Sequence, residues 1–168
     1  MANNVTNKIT FKNVYTGRVK EKCMPEGYFD FETLVPPPAQ VYRGNLSLQE
    51  DEDFKCNWST WNRANWGTKW NAYNSCLTTD GDAGTRGDTV VVFDTAWTVP
   101  YPIVAAFANT LKIPFEHRYF DEGEGFWGIE RWEMANGVMT RVSTRKSLPE
   151  DRETIRQELL GGIEDVDG

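Results

Sequence analysis

The stretch Thr89–Leu111, TVVVFDTAWTVPYPIVAAFANTL, decides the fold. It opens with Thr89, Val90, Val91, Val92 and Phe93, branched or aromatic residues that favour extended backbone. A run this apolar suits a strand covered on both faces, and it predicts a strand over Asp88–Trp97. Pro100 and Pro102 stand where a helix begins, because proline fixes φ near the helical value and lacks only an N–H that the first turn leaves unpaired. Ile103, Val104, Phe107 and Leu111 recur at helical spacing, which predicts a helix over Ile103–Leu111 with those residues inward. On this reading Trp97 and Phe107 are both core residues.

Toward the C-terminus, Ile113–Phe120 reads as a strand, Glu122–Gly125 as a turn and Phe126–Met134 as another strand. Asn136-Gly137 is a strong hairpin signal leading into Val138–Val142, so Phe115–Val142 forms an antiparallel meander. From Pro149 a short acidic helix is expected, fading after Gly161-Gly162. Toward the N-terminus, Asn7–Tyr15 reads as a first strand and Phe29–Val35 as an extended piece halted by Pro36-Pro37-Pro38. Glu50-Asp51-Glu52-Asp53 suits the first turn of one helix running through Phe54, Trp58 and Trp61, since carboxylates favour the positive end of a helix dipole. Gly67 breaks it, and Lys69–Cys76 follows as a strand. TDGDAGTRGD over Thr79–Asp88 is a loop; it lacks the closing acid of a calcium-binding EF-hand, so Asp80 and Asp82 read as turn residues.

The class is α+β: one antiparallel sheet backed on one face by two helices. A single domain is expected over 1–148, with an acidic helix and tail over 149–168. The 168 residues carry a formal charge of −7, which argues against a protein that coats nucleic-acid phosphates. No apolar run approaches the roughly 20 residues that span a bilayer, and MANNVTNKIT lacks the features of a signal peptide. The cytoplasm of a host cell is the expected location. Cys23, Cys56 and Cys76 read as free thiols, and with His117 as the sole histidine neither a metal nor a cofactor is expected.

Several segments, in order, carry a resemblance: MANNVTNKITFKNV, FDFETLVPPP, NWGTKWNAY, VVVFDTAWTVPYPIV and YFDEGEGFWG. Together they resemble phage and plasmid proteins with the YubB ferredoxin-like domain, also labelled Api-type phage proteins. That resemblance implies a βαββαβ core with an N-terminal extension, encoded on a mobile genetic element. It implies no iron–sulfur chemistry, for which three scattered thiols are too few. It brings no activity to any named residue.

The richest candidate site is Trp58–Tyr73, WSTWNRANWGTKWNAY. Indoles that need a partner for N–H alternate there with amides and cations, which is recognition chemistry. Trp66 and Trp70 also suit packing against the sheet beside a tight turn at Gly67. Arg63, Asn65, Trp66, Lys69, Trp70 and Asn71 are the candidate ligand- or partner-binding residues, and no catalytic residue is assigned.

The expected function is that of a non-enzymatic accessory protein acting by binding, in interference with a host defence. Docking of an acidic surface on a basic host protein would serve, and so would sequestration of a nucleotide-like signalling molecule in a Trp/Asn/Lys-lined pocket. A third reading is a small hydrolase using Asp121, Glu122 and His117, which requires these groups within hydrogen-bond reach of one another.

Overall fold

The computed structural model describes residues 3–79 and 87–164, so Asp80 and Asp82 of the expected loop lie outside the described residues. Strand β1 spans Asn4–Phe11, and three short helices follow: α1 (Arg18–Cys23), α2 (Leu48–Asp53) and α3 (Trp58–Asn65). Next come β2 (Tyr73–Thr79), β3 (Thr89–Ala96), α4 (Tyr101–Leu111), β4 (Phe115–Asp121), β5 (Trp127–Ala135), β6 (Val138–Lys146) and α5 (Pro149–Glu164). The six strands form one antiparallel sheet in the order β2-β3-β1-β4-β5-β6. The first four strands and their two helical crossovers reproduce the split βαβ arrangement of ferredoxin-like folds, with the β5–β6 hairpin added beyond β4.

β1 lies at the centre of the sheet, paired with β3 from Asn4↔Ala96 and with β4 from Val5↔Asp121. Its side chains alternate between two covered faces, as the period of a strand requires. Val5, Ile9 and Phe11 are fully buried on the face under α4, where Phe11 meets Phe107 and Phe115 at ring-centroid distances of 5.9 and 5.5 Å. Val19 and Cys23 of α1 join the same core, as do Phe29, Phe31 and Trp66. A buried Phe of this kind contributes roughly 1.5–3 kcal/mol of transfer free energy. On the opposite face, Lys8 of β1 and Arg118 of β4 both bind Glu158 of α5, at 2.8 and 2.7 Å. Ile155 of α5 is fully buried.

Four features correct the sequence reading. Helices cover both faces of the sheet, not one, because α5 runs to Glu164, past Gly161-Gly162, and packs on the side away from α4. The N-terminal strand is part of the core itself: β1, from Asn4, belongs to the centre of the sheet, and the additional residues of the described chain lie between β1 and β2. The single helix expected from the acidic cluster onward is two, because Asn57 accepts from the Thr60 N–H at 3.0 Å and starts α3 afresh after α2 ends. Trp97 is not a core residue: it is 42% exposed, whereas Phe107 is fully buried.

Among the described residues no helix is long and apolar enough to cross a membrane. The three cysteines are free, and no group of three or more His, Cys, Asp and Glu side chains gathers there as a metal site.

Candidate functional site

The site is built on the turn between β3 and α4. Trp97 sits there at φ 67°, in the left-handed region that costs a bulky L-residue roughly 1–2 kcal/mol. The surroundings hold it in place. The Trp97 N–H donates to the Asn3 carbonyl at 2.9 Å, and the Thr68 hydroxyl donates to the carbonyl of Ala96 at 2.9 Å. The Thr98 hydroxyl donates to the Gly67 carbonyl at 2.6 Å, and the Thr95 hydroxyl to the Thr98 carbonyl at 2.7 Å. Gly67 itself has φ 77° and lies so close to Pro102 that a Cβ would fall 2.7 Å from its Cδ. Backbone strain sustained by this many contacts is characteristic of functional turns.

Held this way, Trp97 walls a cavity of about 370 Å³ whose other principal sides are Val99, Tyr101, Pro102, Tyr119 and Phe126. Lys146 is the charged side chain in that lining. Trp97 also stacks with Trp70 at a centroid distance of 6.3 Å and an interplanar angle of 27°. Lys69 places its ammonium 5.1 Å from the centroid of each indole. Neither Lys69 nor Lys146 forms an ion pair among the described residues.

Beneath the cavity lies a buried polar network. The Tyr101 hydroxyl donates to Glu130 Oε1 at 2.9 Å, the Tyr119 hydroxyl lies 3.4 Å from the same oxygen, and Arg141 Nη1 binds it at 3.2 Å. Burial raises the pKa of both phenols, so they remain protonated donors. Asn7 spends its amide N–H groups on the Val5 carbonyl and the Thr95 hydroxyl, both at 3.1 Å. Its oxygen therefore faces His117 Nε2 at 2.9 Å, which assigns the ring proton to that nitrogen. Burial, with Arg141 nearby, pushes the His117 pKa down to about 3.

The six candidates from the tryptophan-rich block separate. Lys69 and Trp70 come together at the indole stack. Trp66 is 1% exposed and gives its indole N–H to the Val35 carbonyl at 2.8 Å, so it is a core residue. Asn71 is a strut: its Oδ1 accepts from the Phe31 and Ala72 N–H groups at 2.9 and 2.8 Å. Its Nδ2 donates to Asp30 at 2.9 Å. Asn65 binds the Trp61 carbonyl one turn back at 2.9 Å, and Arg63 is exposed on α3.

The hydrolase constellation is not assembled. Asp121 accepts from the Gly125 N–H at 3.0 Å within the hairpin, and Glu122 accepts from the Asn4 N–H of β1 at 2.7 Å. His117 stands four positions before Asp121 on the same strand, about 13 Å away at the usual strand rise.

Trp97, Tyr101, Tyr119, Phe126 and Lys146 were not singled out as site residues in the sequence. The signal available was TAWTVPYP, which contains Trp97 and Tyr101, but its strand-then-helix pattern assigns Trp97 to the core.

The sheet order and the two crossovers define a protein of the ferredoxin-like class. Residues 65–153 match a family model described as the ferredoxin-like domain in Api92-like protein, and the chain belongs to that family. No curated protein and no solved structure matches the chain.

Proposed function

We propose that this is a binding protein that sequesters a planar, anionic, nucleotide-like molecule, with the ring lodged against Trp97. The observation that carries the reading is the strained Trp97 turn, which walls an aromatic cavity lined by Lys146, with Lys69 against the Trp97 ring and neither lysine ion-paired among the described residues, in a chain of net charge −7. A flat ring gains stacking on the indole, and Lys69 and Lys146 supply charge for an anionic substituent. Pockets of this size, apolar with few polar groups, are the usual form of small-molecule sites. Removing a signalling nucleotide would disarm a host defence, and the resemblance to phage and plasmid proteins supports that setting.

The test is mass spectrometry of small molecules released from protein purified out of the host, alongside tryptophan-fluorescence titration with a nucleotide panel. Wild-type protein should release or bind a phosphorylated aromatic compound that the Trp97→Ala variant does not. Absence of any such compound, with no response to the panel, would remove the reading.

Docking on a basic host protein keeps one specific support. Helix α2 presents Asp51, Glu52 and Asp53 beside Leu48, which is 91% exposed, and none of these acids forms an ion pair among the described residues. Loss of host-protein binding on neutralising α2, with Trp97→Ala silent, would favour this second reading.

A further inference from the structure

A second cavity is bordered by Lys69. It measures about 410 Å³ and is lined by Arg43, Asn45, Leu46, Trp58, Ser59 and Lys69, with the backbone of Gly44. Lys69 thus borders this cavity, while its ammonium lies 5.1 Å from the ring of Trp97, which walls the other. The contact between these two side chains joins an aromatic chamber to a polar one.

The polar chamber rests on a fixed frame. Tyr42 exchanges backbone hydrogen bonds with the start of α3, its N–H donating to the Cys56 carbonyl at 2.9 Å and its carbonyl accepting from Trp58 at 2.7 Å. Its ring stacks on Phe54 at 4.0 Å, and the indole N–H of Trp58 donates to the Gly44 carbonyl at 2.8 Å. Arg43 is therefore carried on an anchored loop. Its guanidinium holds Glu32 at 2.9 Å in a half-exposed pair, a weak kind of contact open to replacement by a doubly charged oxyanion.

We infer that the ligand is a nucleoside polyphosphate, its base in the Trp97 cavity and its phosphates running past Lys69 to Arg43 and Ser59. This rests on the nucleotide-like reading above and extends it. A base alone would fill only the aromatic chamber, and the polar chamber offers two cations, a hydroxyl and an amide suited to phosphate oxygens.

The test is isothermal titration of wild-type protein with adenosine, AMP, ADP and ATP, and with the guanosine series. In at least one series affinity should rise tenfold or more from nucleoside to triphosphate. Arg43→Gln should abolish most of that rise while leaving nucleoside affinity unchanged, and Glu32→Gln, which frees Arg43, should enlarge it. A flat series, or a rise indifferent to Arg43→Gln, overturns the inference. If no member of either series binds, the Trp97 reading has failed, and inorganic triphosphate alone decides this one. Arg43-dependent binding of triphosphate sustains the phosphate seat, and no binding overturns it.

Discussion

Trp70 precedes β2 and Trp97 follows β3, yet the two indoles stack at 6.3 Å with the Lys69 ammonium 5.1 Å from each ring centre. This arrangement lies at the surface, with the rings 41% and 42% exposed. It buries little, so its removal should affect binding far more than folding.

Trp97→Gly should therefore leave the melting temperature close to wild type. Glycine relieves the left-handed strain of roughly 1–2 kcal/mol, which offsets the loss of a stacking contact worth about 0.5–1.5 kcal/mol. Ligand binding should fall at least tenfold. Lys69→Ala should likewise cost under about 0.5 kcal/mol in stability and weaken binding of phosphorylated ligands. A large drop in melting temperature for either would make the stack a structural support.

Phe107→Ala should cost on the order of 3–5 kcal/mol in urea unfolding. Phe107 meets Phe11, Phe29 and Phe115 at 5.9, 5.7 and 5.6 Å, a setting that cannot collapse around a missing ring without moving three others. Retained stability would contradict that packing.

Gly128 faces Tyr119 across the β4–β5 ladder, and a Cβ there would overlap the phenol. Gly128→Ala should cost about 1–3 kcal/mol, as overpacking does, and should shift the Tyr119 ring that lines the cavity. Unfolding curves combined with ligand titration check both effects.

Acidification should destabilise the fold through His117. Its folded pKa, about 3, lies below the ordinary value of 6.5, so between those pH values the unfolded chain takes up a proton that the folded chain refuses. The stabilisation is fully present above pH ~6.5 and declines as pH falls toward about 3, by at most about 1.4 kcal/mol per pH unit from this group. His117→Gln should flatten the stability–pH profile in that window. An unchanged profile would show that folded His117 takes up its proton in the same pH range as the unfolded chain.

In native protein a thiol reagent should modify Cys56 and Cys76 but spare Cys23. Burial pushes the Cys23 thiol up to about 12, which removes the reactive thiolate as well as access. Reaction of Cys23 at a rate equal to the other two would indicate opening of α1.

Strand β3, helix α4 and the final hairpin were legible because local chemistry decides them. Asn136 and Gly137 adopt φ of 52° and 81°, as a tight hairpin turn of the mirror-image type requires. Trp97 was misread for a geometric reason. Thr89, Val91, Phe93 and Thr95 are all buried, so alternation carries the next odd position inward, but the left-handed turn rotates Trp97 out to solvent. Nothing in the sequence reading marks a non-glycine residue for that conformation. Trp66 and Trp70 differ by one helix-ending turn, which buries the first and exposes the second. The cavity draws on the turn after β3, on α4, β4 and β6, and on the turns at Gly67 and Phe126, and such long-range assembly leaves no contiguous motif.

The central position of β1 governs how the protein can be made. β1 ends at Phe11, yet its neighbours in the sheet end only at Ala96 and Asp121, so it is synthesised well before either. At roughly 5–20 residues per second, translation leaves that strand without both partners for on the order of ten seconds. Throughout that interval Val5, Ile9 and Phe11 have no sheet to enter. The nascent chain must keep an aggregation-prone segment in waiting, and the sheet can close around it only once β4 has left the ribosome.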